Sequence, residues 1–149
     1  MGWDDRITQI LDDDVILHAV GQGALGIECR TDDKDTLDII STLDHLETRL
    51  RCTAERSFMR TLEGGCSVPL GVSTKISEIT NGYELELIGS VTSLDGSVQV
   101  KHVEKTRLNG TDRDGLVKDA ASLGILVANA LKAEGATEIL EAIPKTVTK

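Results

Sequence analysis

Two stretches decide the fold: Ile79-Thr-Asn-Gly-Tyr-Glu-Leu-Glu-Leu-Ile88 and Val91-Thr-Ser-Leu-Asp-Gly-Ser-Val98. In the first, Tyr83, Leu85 and Leu87 alternate with Glu84, Glu86 and Ile88, the two-residue period of a strand with one buried face and one mostly wet face. Asn81-Gly82 and Asp95-Gly96 are the dipeptides that favour two-residue hairpin turns with left-handed backbone. They separate three strand-like segments, 69–79, 83–92 and 97–107, which predicts an antiparallel three-stranded meander.

Outward from the meander the period lengthens to that of a helix. Leu46, Leu50, Ala54, Phe58 and Leu62 recur every four residues, and Gly64-Gly65 follows, predicting a helix over 44–62 with a glycine stop. Arg49, Arg51, Glu55, Arg56 and Arg60 fall off that stripe and read as a solvated, salt-bridged face. Leu116, Ala120, Leu123, Val127 and Leu131 form a second stripe, opened by Asp112 and Asp114 and closed by Gly135, with Thr137 capping a short final helix before Pro144. Residues 44–149 therefore read as an α+β domain, one sheet covered by helices.

Residues 1–43 read differently. A short helix over 4–11, extended segments at 15–20 and 25–29, a Gly21-Gln22-Gly23 crossing, and a helix begun by Asp32-Asp33 do not amount to a core. They look like the end of another unit.

Composition bounds the function. The chain has 149 residues, enough for one modest domain, with 40% hydrophobic and 28% charged residues. A net charge of −9 and only three aromatics, Trp3, Phe58 and Tyr83, argue against a nucleic-acid partner, which needs a basic footprint or stacking platforms. No apolar run reaches the ~20 residues of a membrane span, and the start lacks the build of a secretory signal. Met1-Gly2 lacks the Ser or Thr at position 6 that a myristoylation start wants, Arg6 standing there instead. Three widely spaced cysteines, Cys29, Cys52 and Cys66, and scattered His18, His45 and His102 give neither a zinc site nor a disulfide framework. No metal is expected, and free thiols suggest the cytoplasm.

Three motifs carry possible chemistry. Gly21-Gln22-Gly23-Ala24-Leu25-Gly26 matches the dinucleotide pattern letter for letter, but an extended segment follows where a helix N-terminus is needed, so the glycines read as a tight crossing. Asp12-Asp13-Asp14 lacks the spaced oxygens of a calcium loop and reads as a solvated turn. Cys66 follows two glycines at a helix end and precedes Pro69, so its thiol sits on a loop, as a nucleophile or as an incidental free cysteine. No base lies near it in sequence.

The segment from His18 to Arg30, together with Thr53-Ala-Glu-Arg56 and Leu62-Glu-Gly-Gly-Cys-Ser-Val-Pro69, resembles the porphobilinogen deaminase (hydroxymethylbilane synthase) family, and the resemblance covers only the C-terminal part of such an enzyme. It implies a dipyrromethane cofactor held by a thioether at Cys66 beside Gly65, with Gln22 and Gly23 bordering the cleft. The whole enzyme of that family condenses four porphobilinogen molecules head to tail, releasing ammonia, in the biosynthesis of heme and other porphyrins. The resemblance also implies domain bounds. Residues 1–23 would be the tail of a second α/β domain, 24–43 a returning piece of the first, and 44–149 the C-terminal cofactor-anchoring domain. The family's catalytic aspartate and carboxylate-binding arginines lie in its N-terminal domains, so no catalytic residue is expected here. The chain alone would be inactive without those domains or a partner chain supplying them. The alternative is a non-catalytic remnant serving as a binding or interaction module.

Overall fold

The alternation over 83–92 builds the centre of the sheet. The computed structural model describes residues 2–62 and 68–143. Strands β1 (Leu70–Ile79), β2 (Gly82–Thr92) and β3 (Gln99–Leu108) form an antiparallel sheet in that order. Its register pairs Thr74 with Leu87 and Leu87 with Glu104. Leu85, Leu87 and Val91 on β2, with Val72 on β1, point to one side and are fully or almost fully buried.

Two helices cover that side. α2 (Leu46–Thr61) buries Leu50, Ala54 and Phe58, and α3 (Arg113–Leu131) buries Ala120, Leu123, Val127, Ala128 and Leu131, the stripes the four-residue spacing predicts. The helices pack against each other at Gly124 and onto the sheet at Gly89, whose missing side chain makes room for the Phe58 ring. Asp112 caps α3 by accepting from Gly115 N at 2.8 Å. α2 begins two residues later than the sequence suggests. The His45 ring caps it, while Asp44 instead binds Arg49 at 2.7 Å and Arg113 at 2.6 Å.

The α3 end also differs. The helix stops at Leu131 and continues as a wider turn over Lys132–Ala136, closed by Gly135 at φ 107°, before α4 (Thr137–Glu141). Thr137 does not cap α4; the capping position belongs to Ala136. Pro144 lies outside the described residues.

Both turns depart from two-residue hairpins centred on the dipeptides. The first turn is Thr80-Asn81, one residue earlier, with Asn81 left-handed at φ 63° and Gly82 already paired to Ile79. The second is a six-residue loop, 93–98. There the Asp95 carboxylate accepts from Ser93 Oγ, Ser97 Oγ and Ser97 N at 2.6, 2.8 and 3.1 Å, and these bonds outweigh the tighter turn.

The N-terminal part is open. None of the described residues before Leu50 is buried. The helix expected over 4–11 is a single turn at Asp4–Arg6, and Ile10 is 81% exposed. No side chain caps its start, where Trp3 stands, and none of its residues is buried. The strand expected over 25–29 has no ladder partner among the described residues, and Leu25 is 97% exposed. α1 (Lys34–Ser41) forms as expected, with Asp33 accepting from Thr36 N. The extended segment at 15–20 meets the free edge of β1. His18 and Val72 exchange backbone hydrogen bonds at 2.9 Å in both directions, and Ser73 donates to Asp13 at 2.7 Å. Among the described residues no helix is long and apolar enough to cross a membrane.

Candidate functional site

The glycine crossing is the first part of the site. Gly21 and Gly23 adopt φ 71° and 83°, a backbone that side-chain-bearing residues avoid, so the chain turns sharply at Val20–Gly23. Gln22 closes the turn on itself, its Oε1 accepting from Ala19 N at 2.9 Å. Its side-chain NH2 makes no hydrogen bond to the described residues and is left to donate outward. Opposite stands the first half of α2. The cavity between them, about 210 Å3, is lined by Gly21–Ala24 on one wall and Thr48, Arg51, Cys52 and Glu55 on the other.

Glu55 departs from expectation. Instead of a solvated charge it is a buried carboxylate, 8% exposed, with every oxygen used. Oε2 accepts from Gly21 N at 2.8 Å and Oε1 accepts from Thr74 Oγ1 at 2.7 Å. Arg51 Nε in turn donates to Thr74 Oγ1 at 2.8 Å. Burying a carboxylate is costly unless such partners replace water. The only local signal is the Arg51/Glu55 spacing of one helical turn; the hydrogen-bond partners of Glu55 are 19 and 34 residues away. Cys52, half-buried beside Glu55, has its thiol pushed up by burial and by that carboxylate, against the pull of Arg51 and Arg56. It is a poor nucleophile.

The second part is the connection from α2 to β1. Gly65 and Cys66 lie outside the described residues, but both flanks are anchored. Lys132 Nζ donates to Thr61 O at 2.6 Å, and Leu62 is 3% exposed. On the far side Pro69 O accepts from Thr92 N at 3.1 Å. Pro69 also borders a cavity of about 280 Å3 between residues 13–17 and the outer face of the sheet.

The histidines hold structure: His18 in the bridge to β1, His45 at the start of α2, and His102 between Glu134 at 2.8 Å and Glu104 at 3.8 Å. The remaining arginines of α2, Arg56 and Arg60, are exposed and make no ion pair among the described residues. No group of three or more potential metal ligands occurs among the described residues.

A dipyrrole with acetate and propionate side chains needs a nucleophilic anchor and several cations. For the anchor the chain offers Cys66 as a candidate, outside the described residues. At the crossing it offers one cation, Arg51, with the Glu55 carboxylate beside it. The crossing does not suit the acid side chains.

Comparison with known proteins gives two family matches. Residues 49–133 match the model described as porphobilinogen deaminase, C-terminal domain. Residues 1–38 match porphobilinogen deaminase, dipyromethane cofactor binding domain. A porphobilinogen deaminase of Nostoc sp. is 49% identical over 143 residues, 96% of this chain and 40% of the relative. One of Prochlorococcus marinus is 49% identical over 146 residues, 98% and 42%. One of Synechococcus elongatus is 48% identical over 143 residues, 96% and 41%. The chain thus spans about 40% of the length of these curated relatives.

Proposed function

The chain belongs to the porphobilinogen deaminase family, and we propose that it is the C-terminal portion of a hydroxymethylbilane synthase, a transferase of the cytoplasm. The whole enzyme would join four porphobilinogen molecules head to tail with release of ammonia. Its dipyrromethane cofactor would be bound by a thioether to Cys66. The bound group supplies the free pyrrole position from which the product chain grows. The match over 49–133, which contains Leu62–Pro69, carries this reading.

The chain's own residues do a limited set of things in it. Cys66 provides a soft nucleophilic sulfur, and a thioether, unlike an ester, survives hydrolysis. On either side of residues 63–67, Leu62 is buried after α2 and Pro69 is bonded to Thr92 of β2. The crossing presents the side-chain NH2 of Gln22 and the open backbone of Gly23 as donors to the pyrrole chain. In the proposed division, 1–23 ends a second domain, 24–43 returns to a first, and 44–149 anchors the cofactor.

This 149-residue chain by itself is inactive in the proposal. A polycarboxylate substrate needs concentrated positive charge, which the crossing does not supply. The exposed apolar side chains of residues 2–43, with Ile10, Leu25, Ile39 and Leu43 each at least 67% exposed, support packing against N-terminal domains or a partner chain.

The test is reconstitution with the N-terminal 60% of a relative and porphobilinogen. Tetrapyrrole should form, and pyrrole mass should appear on Cys66. Cys66→Ser should abolish both, while Cys29→Ser and Cys52→Ser leave attachment intact. Attachment persisting in Cys66→Ser overturns the site. A stable pair that stays inactive overturns the reading and favours an interaction module.

A further inference from the structure

Glu55 is the one buried carboxylate among the described residues, and attachment at Cys66 does not use it. Its two oxygens are shared between parts of the chain that are distant in sequence. One holds Gly21 N in the crossing and the other holds Thr74 Oγ1 in the middle of β1. Glu55 itself sits on α2. It therefore joins the crossing to α2 and β1.

We propose that Glu55 is a positioning residue that fixes the Gln22 side chain relative to α2 and β1, acting through the Gly21 peptide. The relevance to Cys66 rests on the function proposed above; the latch itself does not.

The crossing needs such a latch. Gly21 and Gly23 have no side chain to restrict them, and a Cβ at either would meet nothing within 4 Å. Apart from the turn's own bonds, its one hydrogen bond to the rest of the described molecule is Gly21 N to Glu55. A bond to a carboxylate is stronger than one to a neutral acceptor. Thr74 and Arg51 orient that carboxylate: Arg51 donates to Thr74 Oγ1, leaving the Thr74 hydroxyl proton for Oε1. Gln22 follows the latched peptide, and its Oε1 bond to Ala19 N carries its side chain with the turn.

Amide hydrogen exchange on the 149-residue chain reads the latch. In Glu55→Ala, exchange at Gly21 N should rise about tenfold, the factor for one hydrogen bond of roughly 1.4 kcal/mol. Leu87 and Val91 amides, in the sheet centre, should keep their wild-type rates. Glu55→Gln retains a carbonyl oxygen for Gly21 N and should restore most of the protection. In the reconstituted pair, Glu55→Ala should lower turnover while leaving pyrrole loading on Cys66 unchanged.

Unchanged Gly21 exchange in Glu55→Ala overturns the latch. So does an equal rise at Leu87, which would make Glu55 a stability residue only, and so does loss of loading together with turnover. Absence of pyrrole mass on Cys66 in the unsubstituted pair is a different failure. It removes the proposed function and leaves the Gly21 result standing.

Discussion

Gly124→Ala should destabilise the chain, although in an ordinary helix it would do the reverse. Alanine at a helix interior is favoured over glycine by about 1 kcal/mol. At Gly124, however, α3 crosses α2 with almost no space between backbones. An added Cβ would lie inside contact distance of the Ala54 carbonyl oxygen, 2.7 Å from Phe58 N and 2.9 Å from Ser57 Cβ. Two of those are backbone atoms of a helix whose Ala54 and Phe58 are fully buried, so no rotamer change relieves them. The helices must separate, which loosens the packing of Phe58 against Gly89. Overpacking of this kind costs about 1–3 kcal/mol and more where backbone has to move. Set against the propensity gain, the net loss is about 2 kcal/mol. With a urea m-value of about 2 kcal/mol/M, the midpoint should fall by about 1 M at unchanged m. Gly26→Ala is the control, since nothing stands within 4 Å of its Cβ position; its midpoint should stay within about 0.3 M of the unsubstituted chain. A Gly124→Ala midpoint equal to or above that of the unsubstituted chain would refute the close crossing of α2 and α3.

Two further outcomes follow from charges. The three hydrogen bonds in the 93–98 loop lower the Asp95 carboxyl to about 2. Its folded value lies below its unfolded one, so its stabilisation is present above about pH 4 and is lost as the pH falls towards 2. A carboxyl-carbon NMR titration should show that midpoint, and a midpoint at the ordinary 3.8 would contradict the loop geometry. Cys52 should react with iodoacetamide at pH 8 more slowly than free glutathione, because burial and Glu55 raise its thiol. Glu55→Gln should speed it up; no change would place the carboxylate elsewhere.

The sheet and the two long helices were legible because their signals are local. Tyr83 to Ile88 alternate, the apolar residues of α2 and α3 recur every four positions, and Asp33 and Asp112 sit at helix starts with free oxygens. The departures come from missing or distant partners and, at Asp95, from local competition between turns. Residues 4–11 have helical spacing but neither a buried face nor a capping side chain, whereas the equally short α1 has the Asp33 cap. The Asp95 loop widened because Ser93 and Ser97 both had hydroxyls for one carboxylate. Glu55 reads as a surface charge until Thr74 and Gly21 are brought to it by the fold. Of the candidate site, the crossing at Gln22 and Gly23 is a sharp glycine turn, as its sequence suggests, and Gly65 and Cys66 rest on the family motif.

The most direct measurement is the mass of the peptide Thr61–Lys75, released by trypsin from the protein purified from its own cells. Two pyrrole units are expected on Cys66 in that peptide. A bare Cys66 thiol in folded protein would contradict the proposed attachment.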